Sequence, residues 1–283
     1  MNILSLHSQV VAGHVGNGAA VLPLQLLGFE VWAVPTVLYS NHPGHGTFTG
    51  RVTPADEMTA LIDGLDRRGL LKECDGVLVG YMGDRSHATV AAETIARVRA
   101  QNPNAAVCCD PILGDRDTGI YVVDGVADAV GGELLPCADI ATPNHFELET
   151  LTGATIGTLN DALAATGQLR ARGPAMVVCS SLRREDAQHG SLETLVTTPD
   201  GAWIVRNAEV DDPPHGTGDM LAALILGHTI RGEPPEDAAR LAVSAVWSII
   251  AASAGRADKE LALVDAFENV TAPQFSAEIE RLA

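Results

Sequence analysis

Short apolar runs alternate along most of this chain with longer segments of helical period, and that alternation admits few architectures. Asn2–His7, Glu30–Val37, Gly76–Gly80, Ala105–Asp110, Asp139–Thr142 and Met176–Ser180 read as buried strands. Between them, the stretches 17–27, 55–67, 87–101, 144–152 and 159–171 are amphipathic. The pattern predicts an α/β fold: three layers, with a central, mostly parallel sheet and helices on both faces. Residues 192–206 differ, because two β-like runs flank Thr198-Pro199-Asp200-Gly201, a hairpin turn that adds an antiparallel edge. Helices follow near 217–230 and 235–254. The chain has 283 residues, is 46% apolar, and shows no Pro/Gly/Ser-rich linker or charge block, so 1–283 is expected to be one domain.

In an open α/β sheet, ligands bind beyond the carboxyl ends of the strands. Ser8, Asp110, Asn144, Glu147 and Ser180 all fall near such ends, and one crevice would hold them. The most informative stretch lies further on, at Pro213-Pro214-His215-Gly216-Thr217-Gly218-Asp219. It runs directly into Met220, Leu221, Leu224 and Ile225, spaced as one helical face. A helix N-terminus presents unpaired N–H groups and partial positive charge, which suit a phosphate. Gly216 and Gly218 would let backbone approach the ligand closely, and Asp219 would set a carboxylate beside it. That combination points to phosphoryl transfer with a carboxylate base. The plainer alternative is a turn in which Thr217 or Asp219 caps a helix.

The charge balance limits the partners. With 36 acids against 18 bases the formal net charge is −18, which disfavours nucleic acid and anionic membranes. An anionic small molecule remains compatible if backbone N–H groups and a metal ion meet its charge locally. Lys72 and Lys259 are the only lysines, neither near a candidate site, which excludes a P-loop ending in Gly-Lys-Ser/Thr and argues against a pyridoxal phosphate cofactor held by a lysine. Five cysteines without C-x-x-C spacing read as free thiols. No secretory signal is evident, and Leu241–Ala254 is too short to span a bilayer, so the expected location is the cytoplasm.

Other motifs admit two readings each. Asn144 and Glu147, three apart at a helix start, form either a capping box or part of the shell of a hydrated Mg²⁺. Asp110, before Pro111, either terminates a strand or stands near a metal or phosphates. Gly13-His14-Val15-Gly16-Asn17-Gly18 mimics a dinucleotide fingerprint, yet Val21 stands where its last glycine is needed. The polar turn Ser40-Asn41-His42-Pro43-Gly44 belongs to no zinc pattern. Tyr81 either packs in the core or stacks on an aromatic substrate.

As an ordered set, these motifs resemble the pyridoxal kinase family of the ribokinase superfamily. The resemblance runs through Ser8-Gln9-Val10-Val11, Gly13–Asn17, Ser40-Asn41-His42 and Gly80-Tyr81. It continues through Cys109–Asp115, Thr142–Glu149 and Gly216–Asp219. It implies a ribokinase-like fold and transfer of the ATP γ-phosphoryl group to the 5′-hydroxymethyl of pyridoxal, pyridoxine or pyridoxamine. By the same resemblance Asp219 is the base, and Gly216, Thr217 and Gly218 form the anion hole. Ser8, Val15, His42, Pro43, Gly44, Tyr81 and Tyr121 are implied on the substrate side, Tyr121 in a flap with Asp115. Asp110, Thr142, Asn144, Glu147, Ser180 and Val210 are implied around ATP and Mg²⁺, with Asp110 and Glu147 nearest the metal. A cytoplasmic homodimer and a monovalent cation such as K⁺ are further implications.

Three positions depart from the family pattern. Pro43 stands where many relatives have Thr, Ser180 where some bacterial members have Lys, and His215 where a small apolar residue is common. They bear on vitamer preference and affinity rather than on reaction class. The nearest alternative is a hydroxymethylpyrimidine kinase of the same fold, against which the Ser8–Asn17 stretch argues. A sugar kinase fits less well, since no lid insertion is evident near 10–50. A non-catalytic vitamer-binding protein is the alternative of a different class.

Overall fold

The computed structural model of the protein describes residues 1–187 and 190–282. In chain order its strands are β1 (Asn2–Val10), β2 (Glu30–Tyr39), β3 (Gly50–Val52), β4 (Cys74–Val79), β5 (Ala106–Cys109) and β6 (Gly114–Asp115). They continue as β7 (Gly119–Ile120), β8 (Ile140–Ala141), β9 (Met176–Leu182), β10 (Ser191–Thr198), β11 (Gly201–Ala208) and β12 (Glu278–Arg281). The helices are α1 (Asn17–Leu26), α2 (Ala55–Arg67), α3 (Arg85–Gln101), α4 (Val126–Ala129), α5 (His145–Thr152), α6 (Leu159–Arg170), α7 (Thr217–Ile230) and α8 (Pro235–Ser253). β6 and β7 pair as a separate small hairpin. The other strands form one sheet in the order β12-β11-β10-β9-β8-β5-β4-β1-β2-β3.

The six expected strands are all present, and the central pairs are parallel from β2 through β1, β4, β5 and β8 to β9. The expected hairpin is β10–β11, in which Thr198 pairs with Gly201 across Pro199-Asp200. Antiparallel strands lie on both edges, because β3 also pairs antiparallel with β2. Period-two alternation divides the sheet between two cores. Leu4, Leu6, Val77 and Val79 pack with Met58 of α2, Ile95 of α3, Leu148 of α5 and Leu169 of α6. Ile3, Leu78, Cys108 and Val178 pack with Leu24 of α1, Leu224 of α7 and Ile249 of α8. The five cysteines are free thiols, four of them buried.

Helix α7 corrects one expectation. Instead of one apolar face, every residue from Met220 to His228 is buried, because the helix lies between the sheet, α1 and α8. A helix apolar all round is the form that such enclosure stabilises. Two boundaries also shift. Ser8 lies inside β1 rather than after it, and Ser180 inside β9. The topology still concentrates ligand-binding potential at one place. β1 pairs with β2 on one side and β4 on the other, so crossovers leave β1 in opposite directions and open a crevice at the strands' carboxyl ends. No helix among the described residues is long and apolar enough to cross a membrane.

Candidate active site

Gly216 adopts φ 90° and N-caps α7, with Thr217, Gly218 and Asp219 as its first turn. No side chain caps this end, so the capping reading of Thr217 and Asp219 does not hold. A Cβ on Gly216 would lie 2.0 Å from the His14 carbonyl oxygen, so glycine is required there. A Cβ on Gly218 would meet nothing within 4 Å. Gly218 is exposed, so this first turn is open to a ligand, as an anion-binding helix N-terminus must be.

Asp219 turns away from its own helix. Its Oδ2 accepts the Gly16 N–H at 2.6 Å, and its Oδ1 lies 3.2 Å from His7 Nε2. Burial alone would raise the pKa of this carboxyl. The nearby His7 imidazole, the Gly16 N–H and His42 outweigh burial and hold it below the ordinary carboxylate range. Asp219 is therefore ionised at neutral pH.

Gly16 reaches Asp219 because its φ of 57° folds the chain over Ser8, leaving no room for a side chain; a Cβ would lie 2.1 Å from Ser8 Oγ. Asn17 locks the same turn, accepting from Ser5 Oγ at 2.7 Å and donating to the His7 carbonyl at 3.1 Å. The failed dinucleotide fingerprint is thus a clasp for Asp219. Val15 is buried within it.

Asp110, one residue beyond β5, is buried and accepts from Thr142 Oγ1 at 2.8 Å. Ligand atoms of His7, Asp110 and Asp219 lie within 4.8 Å of one another. Burial first, then the neighbouring carboxylates of Glu147 and Asp219, push Asp110 well above its usual pKa. Asn144 and Glu147 do form the capping box of α5, and Glu147 Oε1 also accepts the Leu113 N–H at 2.9 Å. Burial raises Glu147 to about 8 against the pull of those backbone N–H groups. Buried carboxyls whose pKa values rise through burial and mutual repulsion suit a divalent cation, which removes both penalties.

A cavity adjoins this cluster. Asn144, Ser180, Thr217 and Gly218 are among its polar lining residues, and Val210, Leu221, Val243, Val246, Trp247 and Ile250 among its apolar ones. Ser180 reaches it because its N–H bonds the Pro143 carbonyl, which ties β9 to the start of α5. Elsewhere, the His42 and His215 rings lie with centroids 4.2 Å apart at a tilt of 36°, and a Cβ on Gly44 would strike both. Pro43 occupies the first position of a 3₁₀ turn, Pro43–His45, whose cap is His42. Proline suits that position, since its missing N–H has no partner there anyway.

Tyr81 is part-buried. Its N–H lies 3.4 Å from His7 Nδ1, and its carbonyl accepts from Thr36. Tyr121 follows the β6–β7 hairpin and is 48% exposed; burial first, then the charges of Glu147, Asp219 and Asp110, push its phenol pKa up. Asp115 shapes that hairpin by accepting from the Asp117 and Thr118 N–H groups and the Thr118 hydroxyl. Of the expected positions, Asn144, Ser180, Val210, Thr217 and Gly218 line the cavity, while Asp110 and Asp219 gather with His7. Sequence reasoning passed over His7 and Trp247. The available signal for His7 was a titratable side chain ending the first predicted strand.

A family model described as phosphomethylpyrimidine kinase matches residues 72–262. The chain is 43% identical to the pyridoxal kinase PdxY of Rubrobacter xylanophilus, covering 100% of this chain and 98% of the relative. It is also 43% identical to that of Deinococcus radiodurans, covering 99% and 96%. Among solved structures, pyridoxal kinase from Leishmania donovani in complex with ADP and ginkgotoxin superposes with a TM-score of 0.94 at 30% identity, covering 100% of this chain and 99% of that one. The complex of the same enzyme with ADP and pyridoxamine gives 0.93 at 29%, with the same coverage. Fold and site together define a ribokinase-like kinase of small molecules. The chain belongs to the pyridoxal kinase family, within the group that the phosphomethylpyrimidine kinase model covers.

Proposed function

We propose that this protein transfers the γ-phosphoryl group of ATP to the 5′-hydroxymethyl oxygen of pyridoxal, and of pyridoxine and pyridoxamine, in vitamin B6 salvage. One observation carries the reading: an ionised Asp219, held from two sides, stands at an open helix N-terminus beside the cavity. ATP would lie in that cavity with adenine toward Val210 and Trp247 and its terminal phosphates at Thr217 and Gly218. The vitamer would lie between Ser8, Val15, His42, Gly44 and Tyr81, with Pro43 at its rim and Tyr121 closing over it. Asp219 orients the hydroxyl and takes its proton as the oxygen bonds to the γ-phosphorus. The bond from that phosphorus to the β,γ-bridging oxygen breaks, and ADP leaves with the electron pair. Such a transfer depends on positioning and charge stabilisation, so a base of low pKa suffices.

Asp110 and Glu147 would hold Mg²⁺, with Thr142 and Asn144 orienting them. When bound, the ion offsets the charge of the phosphates. A monovalent cation such as K⁺, a cytoplasmic location, one domain over 1–283 and assembly as a homodimer complete the reading. The description of the family model supports a second reading, a hydroxymethylpyrimidine kinase.

ADP release from ATP–Mg²⁺ separates these readings when pyridoxal, pyridoxine, pyridoxamine and hydroxymethylpyrimidine are assayed in parallel. We expect turnover on the vitamers, lowered roughly 10²–10⁴-fold in Asp219→Ala, the usual scale for losing a general base. Turnover on hydroxymethylpyrimidine alone would move the protein to the second reading. Ligand binding without turnover would make it a vitamer-binding protein.

A further inference from the structure

The buried histidine in β1 has a defined protonation geometry. His7 is 1% exposed. Its Nδ1 faces the Ser8 N–H at 2.8 Å and the Tyr81 N–H at 3.4 Å, so that nitrogen is an acceptor. The ring proton must then sit on Nε2. Nε2 is buried and lies 3.2 Å from Asp219 Oδ1, too oblique for an aligned hydrogen bond. Such contacts often tighten only when substrate is bound. The backbone makes room for the ring: a Cβ on Gly80 would lie 2.2 Å from its Cδ2 and Nε2. Gly80 and Tyr81 thus form a seat that places the imidazole Nε2 3.2 Å from one carboxylate oxygen.

We infer that His7 is a positioning residue for the base. Its Nε2–H holds Asp219 Oδ1 while the Gly16 N–H holds Oδ2, so that the carboxylate presents one fixed lone pair to the substrate hydroxyl. The inference rests on Asp219 being the base. It inverts the usual division of labour, in which a carboxylate orients a histidine base. Fixing both oxygens also sets the direction of Asp219 relative to Asp110, its acidic neighbour. A metal-ligand role would require Nε2 to lose its proton and Nδ1 to take it, which would leave two backbone N–H groups without an acceptor.

Glutamine supplies the same pattern, an acceptor at one end of its amide and a donor at the other. Leucine supplies neither, and asparagine is too short to span from the seat to Asp219. We therefore expect His7→Leu to lower kcat about 10- to 100-fold, the scale of a small misplacement at a reacting centre. KM for ATP and pyridoxal should change less than about 3-fold, because ground-state binding is untouched. His7→Gln should stay within about 3-fold of the parent, and His7→Asn should resemble His7→Leu. In the Asp219→Ala background, His7→Leu should cost less than about 2-fold, since residues acting as one unit are not additive. Melting temperature and ADP binding report whether each variant folds, and should His7→Leu not fold, the comparison of Gln with Asn carries the test.

Full kcat in His7→Leu would overturn the inference, as would equal losses in the Gln and Asn variants. So would a loss that persists without Asp219, or a His7→Gln enzyme with normal kcat and a raised metal requirement. An inactive Asp219→Ala beside a fully active His7→Leu removes this inference alone. An active Asp219→Ala removes the assignment of the base itself.

Discussion

Gly216 and Gly218, two residues apart, answer to different demands. Gly216 is glycine because its backbone is left-handed and the His14 carbonyl occupies the space of a side chain. Gly218 has open space in front of it, so the folded chain alone gives no reason for glycine there. Gly216→Ala should therefore lose at least about 1–3 kcal/mol of stability, the cost of one strained backbone position, along with turnover. Gly218→Ala should melt at or above the parent temperature, since alanine favours a helix, while turnover falls because its methyl group meets the phosphates. Thermal melts and ADP release on both variants check the pair; equal stability losses would show that the two glycines serve packing alike.

At the scale of elements, the turn Pro43–His45 carries an acid-sensitive contact. Burial first, then His215 and His45, push His42 down to about 4, with Asp219 pulling weakly the other way. Below its ordinary value near 6.5 the unfolded chain binds the proton and the folded chain resists it. The stability contributed by this group is complete above pH 6.5 and is lost as pH falls toward about 4. His215→Ala removes one repelling neighbour and should narrow that window, which urea unfolding between pH 4 and 7 would reveal. The major elements were legible in the sequence because short apolar runs alternate with segments of helical period. β6 and β7 were not, since Gly114-Asp115 and Gly119-Ile120 carry no apolar run like the one around β8. β12 was not either: Glu278-Ile279-Glu280-Arg281 is exposed, and only pairing with distant β11 makes it a strand. In the site, Asp219 was legible from its glycines. Its partners were not, because His7 and Gly16 meet it only through tertiary packing.

At the scale of the molecule, two features oppose each other. Leu38 and Val52 of the β2–β3 edge and Phe48 beside it are exposed large hydrophobics, in a sheet edge open to pairing. Against association stands a net charge of −18 per chain. The proposed homodimer, if it uses this edge, should therefore weaken at low ionic strength, where like charges are least screened. Sedimentation at low and physiological salt would show it; a monomer throughout, at micromolar concentration, would remove the homodimer from the reading.

The contact between Gly16 and Asp219 joins residues 203 positions apart. A ribosome therefore delivers the clasp roughly 10–40 s before the carboxylate it is to hold, at ordinary rates of synthesis. Through that interval the nascent chain has its first strand and its glycine turn, and gains the seat for His7 at Gly80 and Tyr81, but has no base. The base then arrives on α7, the helix that fills the space between the sheet, α1 and α8. A fully enclosed helix and the power to move a phosphate are thus acquired in one step, and a chain that stops short of α7 has neither.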